Sequence, residues 1–118
     1  MAKEFKRNTR VGQQLQKEVS NILEFEVSDS RLGMTTVSDV DLSPDLKSAR
    51  VYVTFFGDLT QEEIDSRIEI LNNMVNFIRR CLAKNMVLRV VPRLNFKYDK
   101  SLVDGIAMSN LISSVINK

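Results

Sequence analysis

Residues 60–86 contain no glycine or proline, and within them Ile64, Ile68, Leu71, Val75, Ile78 and Leu82 recur at steps of four, three, four, three and four. That spacing puts them on one face of a helix. Unbroken, the helix would reach about 40 Å at 1.5 Å per residue, longer than a compact domain built from so short a chain. A long coiled coil would accommodate such a helix, but these apolar positions lack the flanking e/g charge pairs of one. The segment is therefore predicted to break near its middle, where Asn72, Asn73 and Asn76 are poor interior helix formers. Thr60-Gln61-Glu62-Glu63 reads as a capping box at its start.

The elements around it follow from changes of period. Asn8 is placed to cap an amphipathic helix carrying Val11, Leu15, Val19, Ile22 and Leu23 and ending near Phe25 to Val27. After Gly33 the chain turns β-branched. Residues 34–42 form a strand in which Val37 is out of phase with Val40 and Leu42, the mark of a bulge. Ser43-Pro44-Asp45-Leu46 is a turn, since proline presets φ and aspartate bonds the local backbone. Residues 49–56 alternate, with Ala49, Val51, Val53 and Phe55 on one face, so the two strands make a hairpin. A last strand over 93–98 points Leu94, Phe96 and Tyr98 one way and Arg93, Asn95 and Lys97 the other. Ser101 to Asp104 can cap a short final helix within 101–118. The order helix, strand, strand, helix, helix, strand predicts an α+β domain, a three-stranded sheet with helices on one face.

A chain of 118 residues with 43% hydrophobic and 27% charged side chains fits one folded domain. It is expected to span residues 1–118, with a basic N-terminal arm over 1–7. No apolar run approaches the roughly 18 residues of a membrane span, and the opening residues are not those of a secretion signal. The single cysteine, Cys81, permits no intramolecular disulfide and suits a reducing compartment. Histidine is absent, which removes the commonest general base and metal ligand. No catalytic residue, metal site or cofactor is expected.

Charge is sorted along the chain. Residues 1–17 carry a net +4, residues 24–69 a net −7, and residues 79–100 a net +6. Basic segments that meet in the fold attract polyanions, because neutralising phosphates releases condensed counterions. The candidate contacts are Lys3, Lys6, Arg7 and Arg10 on the first segment. On the second they are Arg79, Arg80, Lys84, Arg89, Arg93, Lys97 and Lys100. Tyr52 and Phe56 lie opposite the core face of their strand, where packing is a more frequent role than base stacking. Cys81, with no histidine partner, reads as an idle thiol.

Several segments resemble, in order, the bacterial ribosome-binding factor A family. They are the basic opening through Arg10-Val11, the run Asp29-Ser30-Arg31-Leu32-Gly33-Met34-Thr35-Thr36-Val37-Ser38, and Val51-Tyr52-Val53-Thr54-Phe55. Arg89-Val90-Val91-Pro92 and Tyr98-Asp99-Lys100-Ser101-Leu102-Val103-Asp104-Gly105 follow, the latter leading into Met108-Ser109-Asn110-Leu111. The resemblance implies a type II KH-like domain, cytoplasmic and monomeric, that binds the free small (30S) ribosomal subunit and 16S rRNA during late maturation. It further implies support for processing of the rRNA 5′ end, importance for growth in the cold, and contacts with ribosomal proteins and other assembly factors.

One place departs from the pattern. KH domains clamp a nucleotide backbone with a Gly-x-x-Gly loop between two helices. Ribosome-binding factors resemble one another in an Ala-x-Gly kink there. This chain has Met74-Val75-Asn76, where Asn76 tolerates left-handed backbone. That favours electrostatic docking on structured rRNA over gripping of a single strand. A rival reading makes the acidic 24–69 region a binding surface for a basic ribosomal protein, without direct RNA contact.

Overall fold

The computed structural model describes residues 2–27, 29–86 and 91–101, with residues 2–9 described in their backbone path only. Its elements are α1 (Ala2–Phe25), β1 (Thr35–Leu42), β2 (Ser48–Phe55), α2 (Gln61–Asn73), α3 (Val75–Asn85) and β3 (Arg93–Tyr98). This is the α+β order of a type II KH-like fold. The sheet runs β1-β2-β3, with β1 antiparallel to β2 and β2 parallel to β3, so the α2–α3 pair forms the crossover. The expected short helix over 101–118 lies, beyond Ser101, outside the described residues.

Three readings of local structure are refined. Asn8 is not a cap, because α1 continues back to Ala2. No glycine or proline precedes it, and alanine, lysine and arginine extend a helix readily. On β1 the register passes from Val37↔Val53 to Asp39↔Tyr52, which leaves Ser38 as the extra residue of a bulge. The bulge turns Val37 into the core, and Ser38 Oγ donates to Tyr52 O at 3.2 Å. The long apolar stretch breaks at Met74 (φ −96°, ψ 3°), in the bridge region of backbone space. Met74 N–H bonds to Leu71 O, Ile78 N–H bonds to Met74 O, and Val75 and Asn76 already belong to α3. Asn76 does not use a left-handed conformation; among the described residues, Leu46 in the hairpin turn is the non-glycine residue at positive φ.

The core lies between the helices and one face of the sheet. Leu15, Val19 and Ile22 of α1, Leu71 of α2, and Ile78 and Leu82 of α3 close on Val51, Val53 and Phe96, all nearly without exposed surface. A fully buried Leu, Ile, Val or Phe contributes about 1.5–3 kcal/mol by leaving water, so the apolar periods read from the sequence are what hold the layers together.

Asn72 has a task that its poor helix propensity hides. Arg93 donates to Lys47 O just before β2 and Asp99 to Val53 O of β2, so the alternate residue Phe96 turns its backbone groups away from the sheet. Asn72 meets them as a neighbouring strand would. Its Oδ1 accepts from Phe96 N–H at 2.8 Å, and its Nδ2 donates to Phe96 O at 3.2 Å. The amide thus caps the β3 edge and anchors the end of α2 beside the break.

The loop after α1 is fixed from α2. Arg67 Nη1 donates to Leu32 O at 2.8 Å, and its guanidinium carbon lies 5.4 Å from the centre of the Phe55 ring. Gly33 sits beside it at φ +60°, where an added Cβ would approach Arg67 Nη1 to 3.1 Å. Gly33→Ala is expected to destabilise the fold by about 1–2 kcal/mol, the left-handed cost for a residue with a Cβ. The midpoint of urea unfolding at unchanged slope measures it. A midpoint equal to that of the parent protein would mean the loop relaxes freely.

Candidate nucleic-acid interface

The candidate cations reach the surface through two elements on opposite sides of the sheet. Arg80 and Lys84 are exposed on α3, outside its buried Ile78 and Leu82. Lys84 lies in the last turn, where a positive charge also complements the helix dipole. Arg93 and Lys97 alternate with buried Leu94 and Phe96, so they stand on the face of β3 turned away from the helices. β3 is an edge strand and α3 packs against it, so the two sets wrap around one edge instead of sharing a flat surface. Lys100 is exposed just beyond β3.

The first basic segment lies on α1, which packs on β1 as well as α3. Arg10 is exposed. The side chains of Lys3, Lys6 and Arg7, and all of Arg89, lie outside the described residues.

Arg79 differs from the other members of its cluster. Its spacing beside Arg80 is that of a surface cation, but its side chain is half-buried. Nε donates to Pro92 O at 3.1 Å and Nη2 to Val91 O at 2.9 Å. The guanidinium ties α3 to the entry of β3, and its orientation is set before any ligand arrives.

The open face of the sheet carries a gradient that the linear charge blocks conceal. The row Asp39–Tyr52–Lys97 runs from acid at the β1 edge to base at the β3 edge, while Asp41–Arg50–Asn95 has its base on the central strand and ends in a neutral amide. Arg50 was hidden inside the acidic block. The Asp41–Arg50 pair, 3.8 Å apart and exposed on both sides, contributes little by itself. Lys47 was hidden in the same way. Its carbonyl accepts from Arg93 N–H at 2.8 Å, which places it beside the start of β3. The β2–β3 register, which pairs Ser48 with Arg93, could have revealed both from the sequence only once the parallel pairing was known.

Two carboxylates are held by hydrogen bonds, Asp99 beside this face and Asp29 in the loop after α1. Asp99 accepts from the Ser101 backbone and from the Ser38 hydroxyl; Ser101 first and then Ser38 hold its carboxyl below the usual carboxylate range. Asp29 is hydrogen-bonded to the Arg31 side chain and amide, which lowers its carboxyl to about 2. It stays ionised at all physiological pH, and Arg31 is thereby occupied. At the same end of the molecule, Phe25, Met34 and Phe56 are 74%, 69% and 79% exposed. Tyr52 is half-buried on the open face, and Cys81 is partly buried against the core. Among the described residues no cluster of His, Cys, Asp or Glu could hold a metal ion, and no helix is long and apolar enough to cross a membrane.

A model of the ribosome-binding factor A family matches residues 7–112. The chain is similar to the crystal structure of ribosome-binding factor A from Thermus thermophilus, with a TM-score of 0.69 and 26% identity over 80% of this chain and 97% of that one. A Thermotoga maritima protein solved in solution by NMR and described as a candidate ribosome-binding factor A matches with a TM-score of 0.66 and 35% identity, covering 80% of this chain and 89% of that one. A Thermus thermophilus ribosome-binding factor A homology model, fitted into a cryo-EM map of a complex with the 30S subunit, matches with a TM-score of 0.63 and 26% identity. It covers 75% of this chain and 91% of that one.

Proposed function

The chain belongs to the ribosome-binding factor A family, and from that premise we propose that it binds free small (30S) ribosomal subunits as a monomer, through 16S rRNA, during late maturation in the cytoplasm. In this reading it acts by binding, without catalysis or cofactor. It supports processing of the rRNA 5′ end, works alongside ribosomal proteins and other assembly factors, and matters most for growth in the cold. The observation that carries the reading is the cation-rich edge around β3, with Arg80 and Lys84 on one side and Arg93, Lys97 and Lys100 on the other. Such an edge neutralises phosphates across a groove or ridge of folded RNA, and it reads backbone instead of base sequence. Lys3, Lys6, Arg7, Arg10 and Arg89 are proposed as further phosphate contacts. Met74-Val75-Asn76 stands at the place of the KH loop but provides only a helix break, which supports docking over single-strand clamping.

Sedimentation of a lysate from cold-slowed cells at low salt tests this. The protein is expected with free small subunits and absent from large subunits and translating ribosomes. Confinement to the low-mass fractions would overturn the proposal. A second reading is favoured by exposed Phe25, Met34 and Phe56 within the acidic 24–69 region: a contact with a basic ribosomal protein of the subunit. That contact would survive nuclease, whereas RNA docking would not.

A further inference from the structure

Between α3 and the first residues of β2 and β3 lies an open cleft of about 520 Å³ lined by Lys47, Ser48, Arg79, Val91 and Arg93. Three of its five lining residues are cationic and none is acidic. The nearest acid in sequence, Asp45, has its carboxylate turned to the Ser43 hydroxyl at 2.6 Å and the Lys47 amide at 3.0 Å, within the hairpin turn. Arg79 approaches the cleft with Nε and Nη2 already bound to Pro92 O and Val91 O, while Nη1 has no hydrogen bond among the described residues. A guanidinium held on one edge and open on the other is preorganised for an oxyanion, because little side-chain entropy remains to be lost. Lys47 and Arg93 are exposed and free to close from either side, and the Ser48 hydroxyl can donate a further bond.

We infer that this cleft seats one phosphodiester group of the bound RNA, gripped jointly by Lys47, Arg79 and Arg93. The inference rests on the RNA-docking reading and adds a defined anchor to it. Lys47, from the acidic segment, becomes a contact residue, and Arg79 acts as a fixed cation at the back of the cleft. A phosphodiester fits better than a carboxylate-bearing peptide. The cleft opens at the edge already rich in Arg and Lys, so one seated phosphate continues a track that a polyanionic backbone can follow.

A double-mutant cycle on the exposed pair, Lys47→Ala and Arg93→Ala, tests the shared grip without touching the half-buried Arg79. Binding of the fluorescently labelled full-length protein to purified free small subunits is followed by anisotropy over a range of KCl concentrations. Thermal melts establish that each variant is folded. Either single change is expected to weaken binding about tenfold. Because the cations share one phosphate, the double variant should lose less than the product of the two effects. Its log–log salt slope should fall by roughly 0.7–0.9, the value for a single contact. Lys47→Arg should bind like the parent protein. Independent effects, with the slope falling by one contact for each substitution, would overturn the single seated phosphate. Parent-like binding by the double variant would overturn the site while leaving RNA docking intact. Failure of the parent protein itself to bind subunits would instead overturn the docking reading.

Discussion

Replacing Arg80 and Lys84 together with glutamate is expected to weaken binding to free small subunits on the order of a hundredfold at low salt, since two attractions become two repulsions. The log–log salt slope should fall by roughly 1.4–1.8, the sum for two lost phosphate contacts. The fold should survive. Both side chains are exposed and lie off the Ile78–Leu82 stripe, and the only structural loss is the favourable position of Lys84 in the last turn of α3, about 0.3–1 kcal/mol. Different RNAs should be affected about equally, because phosphates carry no sequence. A folded double variant with unchanged affinity and slope would move the contact surface to the N-terminal part of α1.

The largest effect on stability is expected at Asn72. Asn72→Ala removes both partners of Phe96 at once, an acceptor at 2.8 Å and a donor at 3.2 Å. Leaving a backbone group short of partners costs about 1–3 kcal/mol, and two such groups in a half-buried setting should cost about 2–4 kcal/mol together. Urea unfolding should show an earlier midpoint at unchanged slope, and the Phe96 amide should exchange with solvent faster than its neighbours. A loss below about 0.5 kcal/mol would mean that water replaces the amide without penalty.

These two sites show where sequence reasoning carries and where it stops. The apolar periods of 60–86, and the need for a break among Asn72, Asn73 and Asn76, follow from local geometry. The break falls at Met74, within that window. The bulge at Ser38 was likewise announced by the phase of Val37. What Asn72 does was not legible, because its partner lies 24 residues away on a strand edge that exists only after β3 has paired. The anchoring of Arg79 was hidden for the same reason. Its helical position matches that of a surface cation, and only the arrival of Val91 and Pro92 turns it inward. Lys47 and Arg50 were set aside because linear charge counting assigned them to an acidic block, whereas the parallel pairing sets Lys47 beside Arg93 and Arg50 on the central strand next to β3. Asn8 failed as a cap because nothing upstream of it stops a helix.

The parallel pairing of β2 with β3 has a consequence for how the protein responds to its ligand. Lys47 and Arg93 come together only after α2 and α3 have both been laid across the sheet, so no local fragment of the chain carries the pair. A polyanion held there recognises the native state and ignores the unfolded one. It therefore stabilises the fold by mass action, about 2.7 kcal/mol at a ligand concentration one hundred times its dissociation constant. The apparent melting temperature thus becomes a gauge of occupancy at that site.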